Sequence, residues 1–290
     1  MSEQLQLDFD KIIKTSKFSN EEIQSKKFFL KKFIENGFPN RKQEDWKFLD
    51  ISQIIKKNIS DLSFFNDYSL PNKIDPSIFV DGLEHNKIIF INGRIEKIDF
   101  SYEDQNKIEI KDEIEKNISF DYQNSLIDLN SAFINKVFKI IVSKNYSLKK
   151  PLIIYHSTND KMKSTNVNLR LDFELGENSC LRLIDFFTDN TNKNFINIFY
   201  NFNLLKDSIL KNYKIDKFKN DNLKYSFNNI EQGNNSVSET FILSAGSDYF
   251  KNEINCNLNG EYSSAFINGI FSLKENQQHE IRTTINHLVE

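Results

Sequence analysis

The chain is short of the residue types that mark several large functional classes. It has two cysteines, one tryptophan, four prolines and no sizeable excess of either charge. Cys180 and Cys256 stand far apart and alone. No CxxC pair exists, so neither a zinc ribbon nor a redox dithiol is encoded. Lys and Arg number 38 against 41 Asp and Glu, a net charge of −3. That balance argues against a dedicated nucleic-acid surface, which shows as basic excess on one face. No run reaches the roughly 18 apolar residues of a membrane span. The opening stretch, MSEQLQLDFDKIIK, carries no apolar signal region. With free thiols, it sets the expectation of a cytoplasmic protein. There is no GxxxxGK[ST], no GxSxG and no HExxH. A phosphate-cradling P-loop, a nucleophile elbow and a zinc-protease helix are therefore absent.

What is present is a chain of 290 residues, 39% apolar, with 27 phenylalanines. It can bury a full core, as one large domain or two smaller ones. The abundance of Phe, Lys, Asn and Ile reads as coding bias, so Asn-rich stretches are poor evidence for loops.

The first third reads as helical. Ser19 and Glu22 have capping-box spacing. Ile23, Leu30, Phe33 and Ile34 then fall on one helical face. Asn36-Gly37 ends that helix, with Gly in the left-handed conformation, and Pro39 blocks continuation. Arg41 to Phe48 reads as a second short helix, with Trp46 as the residue that pins it to a neighbouring core. Lys87–Ile91 and Arg94–Ile98 are strands joined by Asn92-Gly93, a strong hairpin signal. Residues 101–125 resist assignment. Leu126, Leu129, Ala132 and Phe133 suggest a short helix.

From about residue 136 the period is two. Strands recur about every ten residues with short polar turns between them, as at Gly176-Glu177-Asn178, Lys206-Asp207-Ser208 and Asn259-Gly260. Val167 to Leu175 and Ile196 to Leu204 alternate, as do Ile209, Lys211, Tyr213 and Ile215, and Val237, Glu239, Phe241 and Leu243. Such spacing means a sandwich, a barrel or a β-solenoid. Paired strands, Asn and Ser inside the strands, and no long crossover favour the solenoid; the sandwich stays open. The organisation expected is a helical region with a small β-hairpin over 1–135 and a β core over 136–290.

Candidate chemistry is sparse. His279 and His287 lie eight apart in one strand and on one face, roughly 26 Å from each other at strand rise, too far to share an ion. They read as hydrogen-bonded strand-end histidines, and Cys180 and Cys256 as small hydrophobes. Asp185 and Glu239 are acids within strands, with no cluster of acids and bases evident around them. No catalytic or metal residue is assigned, no cofactor-binding residue can be picked out, and the protein is expected not to be an enzyme.

Several segments, in order, resemble the SufD family, scaffold subunits of Suf iron–sulfur cluster assembly. Gly37-Phe38-Pro39-Asn40-Arg41-Lys42-Gln43-Glu44-Asp45-Trp46-Lys47 is similar to that family's "G-[LF]-P-x-[RK]-x-x-E-x-W-[KR]" segment. Phe48-Leu49 departs from its usual Tyr-Thr. Phe90-Ile91-Asn92-Gly93-Arg94 resembles its "F-V-N-G-R" hairpin, Asp128 to Phe133 its "LN-x-AF", and Pro151-Leu152-Ile153-Ile154 its entry into the core. Leu258-Asn259-Gly260-Glu261, Asn268-Gly269-Ile270-Phe271 and Gln278-His279-Glu280 resemble the succession that follows.

The resemblance implies a mainly β fold: a right-handed parallel β-helix core after an N-terminal helical region. It implies a non-catalytic scaffold that pairs with a SufB-like paralogue through the β-helix and serves the SufC ATPase. The cluster is handled by that complex and no cofactor is assigned to this chain. Nucleic acid and membranes are not expected partners. The family continues past Glu290 with further coils and a helical domain that docks SufC and carries its cluster-proximal His and Cys. The chain is therefore expected to be an incomplete β-helix that associates when alone and does not recruit SufC. The family's His and Cys roles do not transfer to His279, His287 or Cys256, and Cys180 has none assigned. Two other classes fit the strand pattern: a β-helix polysaccharide-active enzyme and a generic solenoid protein-binding module.

Overall fold

Four tetrapeptides build one turn four times: Gly176-Glu177-Asn178-Ser179, Leu205-Lys206-Asp207-Ser208, Gly233-Asn234-Asn235-Ser236 and Gly260-Glu261-Tyr262-Ser263. In the computed structural model their third residues have φ of 54°, 57°, 55° and 60°. That is the left-handed region, which Asn and Asp enter at least cost after Gly. Each serine N–H closes on the first residue's carbonyl, at 3.1, 3.2, 3.1 and 3.3 Å. The third residue's N–H then donates to the next turn along: Asn178 to Lys206 O at 3.0 Å, Asp207 to Asn234 O at 2.9 Å and Asn235 to Glu261 O at 2.9 Å. Asn145, with φ 56°, donates likewise to Glu177 O at 2.8 Å. The turns thus stack as a ladder. A Cβ at Gly260 would lie 2.0 Å from Asn234 N, and one at Gly176 2.5 Å from Lys144 N, so this close stacking requires glycine there.

The structure describes residues 2–59, 61–66, 73–113, 124–159, 162–188, 193–216 and 220–289; the chain end at Glu290 lies outside them. The strands are β1 (Asn86–Ile91), β2 (Arg94–Asp99), β3 (Ile108–Glu113), β4 (Val137–Val142), β5 (Leu152–Ser157), β6 (Asn166–Leu175), β7 (Cys180–Phe187), β8 (Phe195–Leu204), β9 (Ile209–Asp216), β10 (Asn220–Gln232), β11 (Val237–Ser244), β12 (Ser247–Leu258), β13 (Ser264–Phe271) and β14 (Gln278–His287). From β4 on, consecutive strands alternate between two sheets. Within each sheet every strand pairs in parallel with the strand two along. This is a β-solenoid of about five turns over 137–287. All-parallel pairing excludes the sandwich, whose sheets are antiparallel.

At the N-terminal end β1 joins β5 in parallel, while β2 folds back on β1 and β3 on β4, both antiparallel. The β1–β2 hairpin turns on Asn92 and Gly93, with φ of 55° and 77°. β3 lies within the stretch that resisted assignment; of that stretch, 114–123 falls outside the described residues.

Among the described residues four α-helices precede or cover the coils: α1 (Ser2–Thr15), α2 (Asn20–Asn36), α3 (Ile51–Asn58) and α4 (Ser125–Phe133). The capping box at Ser19 forms with both of its hydrogen bonds, and Gly37 caps the other end of α2 with φ 68°. Gly37 has ψ −170°, outside the left-handed helical region that the sequence suggested. Phe29, Leu30 and Phe33 are buried, but Ile34 is exposed because the buried stripe follows 29, 30 and 33 and carries Lys26 as well. The segment expected as a second helix is only a 3₁₀ turn, Glu44–Trp46. α4 is buried along its whole length, under α2 and against the outer face of the even-numbered sheet. Phe195, Phe199, Leu223 and Phe227 of that face share one apolar cluster with Phe9, Phe33, Phe38 and Phe133.

Two strands have the reverse of the expected phase. In β9 the enclosed side chains are Leu210, Asn212, Lys214 and Asp216, not Ile209, Lys211, Tyr213 and Ile215. In β11 they are Ser238, Thr240, Ile242 and Ser244. Hydrophobicity misleads there because the interior of the solenoid turns polar at these coils.

Candidate functional site

Strand register explains how charge enters the interior. One inward row of the odd-numbered sheet runs Ile88, Ile154, Asp185, Lys214, Ile242. Two apolar rungs are followed by an anion and a cation side by side. The neighbouring row runs Phe90, His156, Phe187, Asp216. The His156 ring lies between two phenyl rings, stacked at 5.7 Å from Phe90 and 4.4 Å from Phe187. From the opposite sheet, β8 contributes Tyr200 and β10 contributes Lys224.

Asp185 is the hub. Its Oδ1 accepts from His156 Nε2 at 2.6 Å. Its Oδ2 accepts from Tyr200 Oη at 2.6 Å and from Lys214 Nζ at 2.9 Å. The Lys214 ammonium also sits 3.7 Å over the Tyr200 ring. One coil along, Lys224 pairs with Asp216 and lies 3.8 Å from the ring centre of Phe187 and 4.3 Å from that of Phe250. The polar course continues to His279, which accepts at Nδ1 from Ser244 Oγ at 2.7 Å and donates from Nε2 to Ser247 O at 2.6 Å.

Electrostatics follow from enclosure. Burial by itself would raise the Asp185 carboxyl, but Lys214, then His156 and the hydroxyl of Tyr200, outweigh it and hold Asp185 far below the usual carboxylate range. Burial and the Asp185 charge push the Tyr200 phenol well above its ordinary value. Burial pulls Lys224 down, opposed by Asp216. Two lysines matched by two aspartates leave no net charge from these four residues. Such pairs are costly to desolvate and costly to break, and their geometry suits a register device better than a hydrolytic centre.

Two cavities flank Phe187. One, of about 30 Å³, lies beside His156 among Phe90, Val167, Ile198 and Thr188. The other, of about 10 Å³, lies between the two ion pairs.

A second polar cluster ties the N-terminal region to the last coils. Lys251 of β12 is buried, with Nζ donating to Asp45 O at 2.7 Å and to Glu280 at 2.5 Å, and lying 4.4 Å over the Trp46 ring. Arg282 bonds Asp45 at 2.5 Å, and Gln278 reaches Phe48 O at 2.6 Å. Trp46 also packs on Tyr225 at 5.5 Å. Trp46 is the docking residue its setting suggested.

The residues singled out from sequence are scattered. Cys180 is half-buried at the start of β7, and burial raises its thiol. Cys256 is buried in β12, where burial pushes its thiol up to about 12. His287 is exposed at the end of β14, far along the strand from His279. Glu239 pairs with Lys211 at 3.1 Å on the outer face. Among the described residues no three His, Cys, Asp or Glu side chains are grouped to hold a metal ion. Asp185, in contrast, does sit in a cluster of acids and bases, which pattern alone did not reveal. A signal for it was present. Counting six residues on from each turn serine lands on Asp185, Lys214, Ile242 and Gly269, and eight lands on Phe187, Asp216, Ser244 and Phe271. Those are the inward rows, so aligning the turns would have found them.

No helix among the described residues is long and apolar enough to cross a membrane. No curated protein matches the chain. Residues 155–290, from the middle of β5 onward, match the family described as SUF system FeS cluster assembly, SufBD core domain.

Proposed function

We propose, from the match of residues 155–290 to the SufBD core domain of the SUF iron–sulfur cluster assembly system, that this protein is a SufD-type scaffold. It turns over no substrate. It pairs with a SufB-like paralogue, acts with a SufC-like ABC ATPase in the cytoplasm, and the nascent cluster is cargo of the complex. Residues 1–135 form its helical region and 136–290 its core.

The observation that carries the SufD-type reading is the docking of Glu44-Asp45-Trp46 on β12 and β14. That segment is the one whose sequence favours SufD over SufB. Its Asp45 carbonyl and Trp46 ring enclose Lys251, which lies in the matched stretch. The non-catalytic reading is supported by the interior cluster, whose lysines and carboxylates are engaged with one another, Lys214 with Asp185 within one sheet and Lys224 with Asp216 across the two.

The test is co-expression of this chain with a SufB-like and a SufC-like protein, followed by size-exclusion chromatography with light scattering. A stoichiometric complex containing the SufB-like protein supports the reading. Separate elution of all three proteins overturns it.

A further inference from the structure

We propose that the cavity between the two ion pairs is a binding site for one buried water, hydrogen-bonded to Asp216 Oδ2 and bridging the pairs. The Asp216 side chain is 4% exposed, and its Oδ1 is taken by Lys224. Its Oδ2 is buried and has no hydrogen-bond partner among the described residues. A buried carboxylate oxygen left unpaired costs stability, so one that persists in a fold calls for a partner from outside the chain. Asp216 lines the cavity, together with Asp185, Lys214, Lys224 and Ser226. Lys214 and Asp216 stand two residues apart on the inward face of β9, and β10 brings Lys224 and Ser226 to the same cavity. An orphaned acceptor and a void of the right size therefore coincide.

Size and charge define the guest. The volume of about 10 Å³ meets the lower edge of the roughly 10–15 Å³ that one water requires, and nothing larger enters. The remaining lining residues, Phe187, Ile242, Leu243 and Phe250, have no polar side-chain atom, so among side chains the other five supply the bonds. The lysines disfavour a metal ion, and no three His, Cys, Asp or Glu side chains are grouped to hold one among the described residues. The aspartates disfavour an anion, and an apolar guest would leave Oδ2 unpaired. Each lysine amino group has more hydrogens than its one carboxylate bond uses. A water that donates to Asp216 Oδ2 and accepts from Lys214 or Lys224 reaches the two to four polar partners a buried water needs. The site works wherever the proton of the Lys224–Asp216 pair lies, because water both donates and accepts. Bound there, it joins the pair within one sheet to the pair across the two.

A crystal structure of the full 290-residue chain, at a resolution that shows ordered water, is the first test. Density for one water should lie within about 3 Å of Asp216 Oδ2. An empty cavity, or an Oδ2 bonded to a protein donor instead, overturns the proposal. Oxygen-17 relaxation dispersion then counts long-lived internal waters in solution. The double variant Asp216→Leu/Lys224→Met removes both members of one ion pair, so neither charge is left alone. It should hold one long-lived water fewer than the unmodified chain. An equal count in the folded double variant overturns the proposal. The crystal structure of the unmodified chain decides the matter even if the double variant fails to fold.

Discussion

Asp185 shows what a single enclosed carboxylate does in this protein. Three donors converge on it, and its removal strands a buried lysine. Asp185→Asn should lower unfolding stability by about 3–5 kcal/mol, the usual cost of breaking a buried pair from one side. The same residue sets a pH dependence. Its folded value lies far below its unfolded one, so its contribution is complete at neutral pH and erodes as pH falls below about 4. Urea titrations at pH 7, 5 and 3.5 should therefore show the gap between native and Asp185→Asn proteins constant over the first two and narrower at the third. Glu253 runs the other way: burial raises its carboxyl, so the folded chain takes up that proton first and gains stability relative to the unfolded chain as pH falls through the raised value. An unchanged gap at pH 3.5 would mean that Asp185 is not held ionised. Cys256 offers a simpler check. With its thiol pushed up to about 12 and its side chain enclosed, it should not react with a disulfide reagent at pH 8 until the chain is unfolded.

Among the elements, the repeated turn is the most informative. Three of the four left-handed positions hold Asn or Asp, while the last holds Tyr262, largely exposed with φ 60°. A bulky residue there costs about 1–2 kcal/mol. Tyr262→Asn should therefore raise stability by about 1 kcal/mol and lift the melting temperature, as scanning calorimetry would show. A lower melting temperature would mean that the Tyr262 ring makes a contact worth more than the strain.

How much was legible follows from these same residues. The solenoid could be seen because its turns recur and its strands alternate; Ser19, Gly37 and Asn92-Gly93 declared their elements through capping and turn chemistry. The reversed phase of β9 and β11 could not be seen by hydrophobicity, because Tyr213 and Phe241 face outward while Lys214 and Asn212 face inward. The cluster around Asp185 was hidden for the same reason: its members lie on β5, β7, β8, β9 and β10, and only strand register brings them together. α1 lay within the third read as helical but was not delimited, because its polar face dominates the sequence while Leu5, Phe9 and Ile12 carry its burial.

At the scale of the whole molecule, residues more than two hundred positions apart are joined where Asp45-Trp46 meets Lys251. Lys251→Met should free the 44–48 segment while leaving the coils stacked. Hydrogen exchange should then speed up at 44–49 and along β14, with β6 to β9 unchanged. Faster exchange throughout would show that this contact holds up the entire solenoid rather than one end of it.

The ion pairs also bear on a hazard built into any repetitive stack. Every coil offers nearly the same backbone edge to the next, so a chain that skipped a coil could still satisfy its strands. Were β11 to settle on β7 in place of β9, Asp185 would face Ile242, and Lys214 would lose its carboxylate. The buried charges therefore serve as an ordering label, making the correct neighbour distinguishable from a look-alike and giving an otherwise monotonous stack a single sequence of assembly.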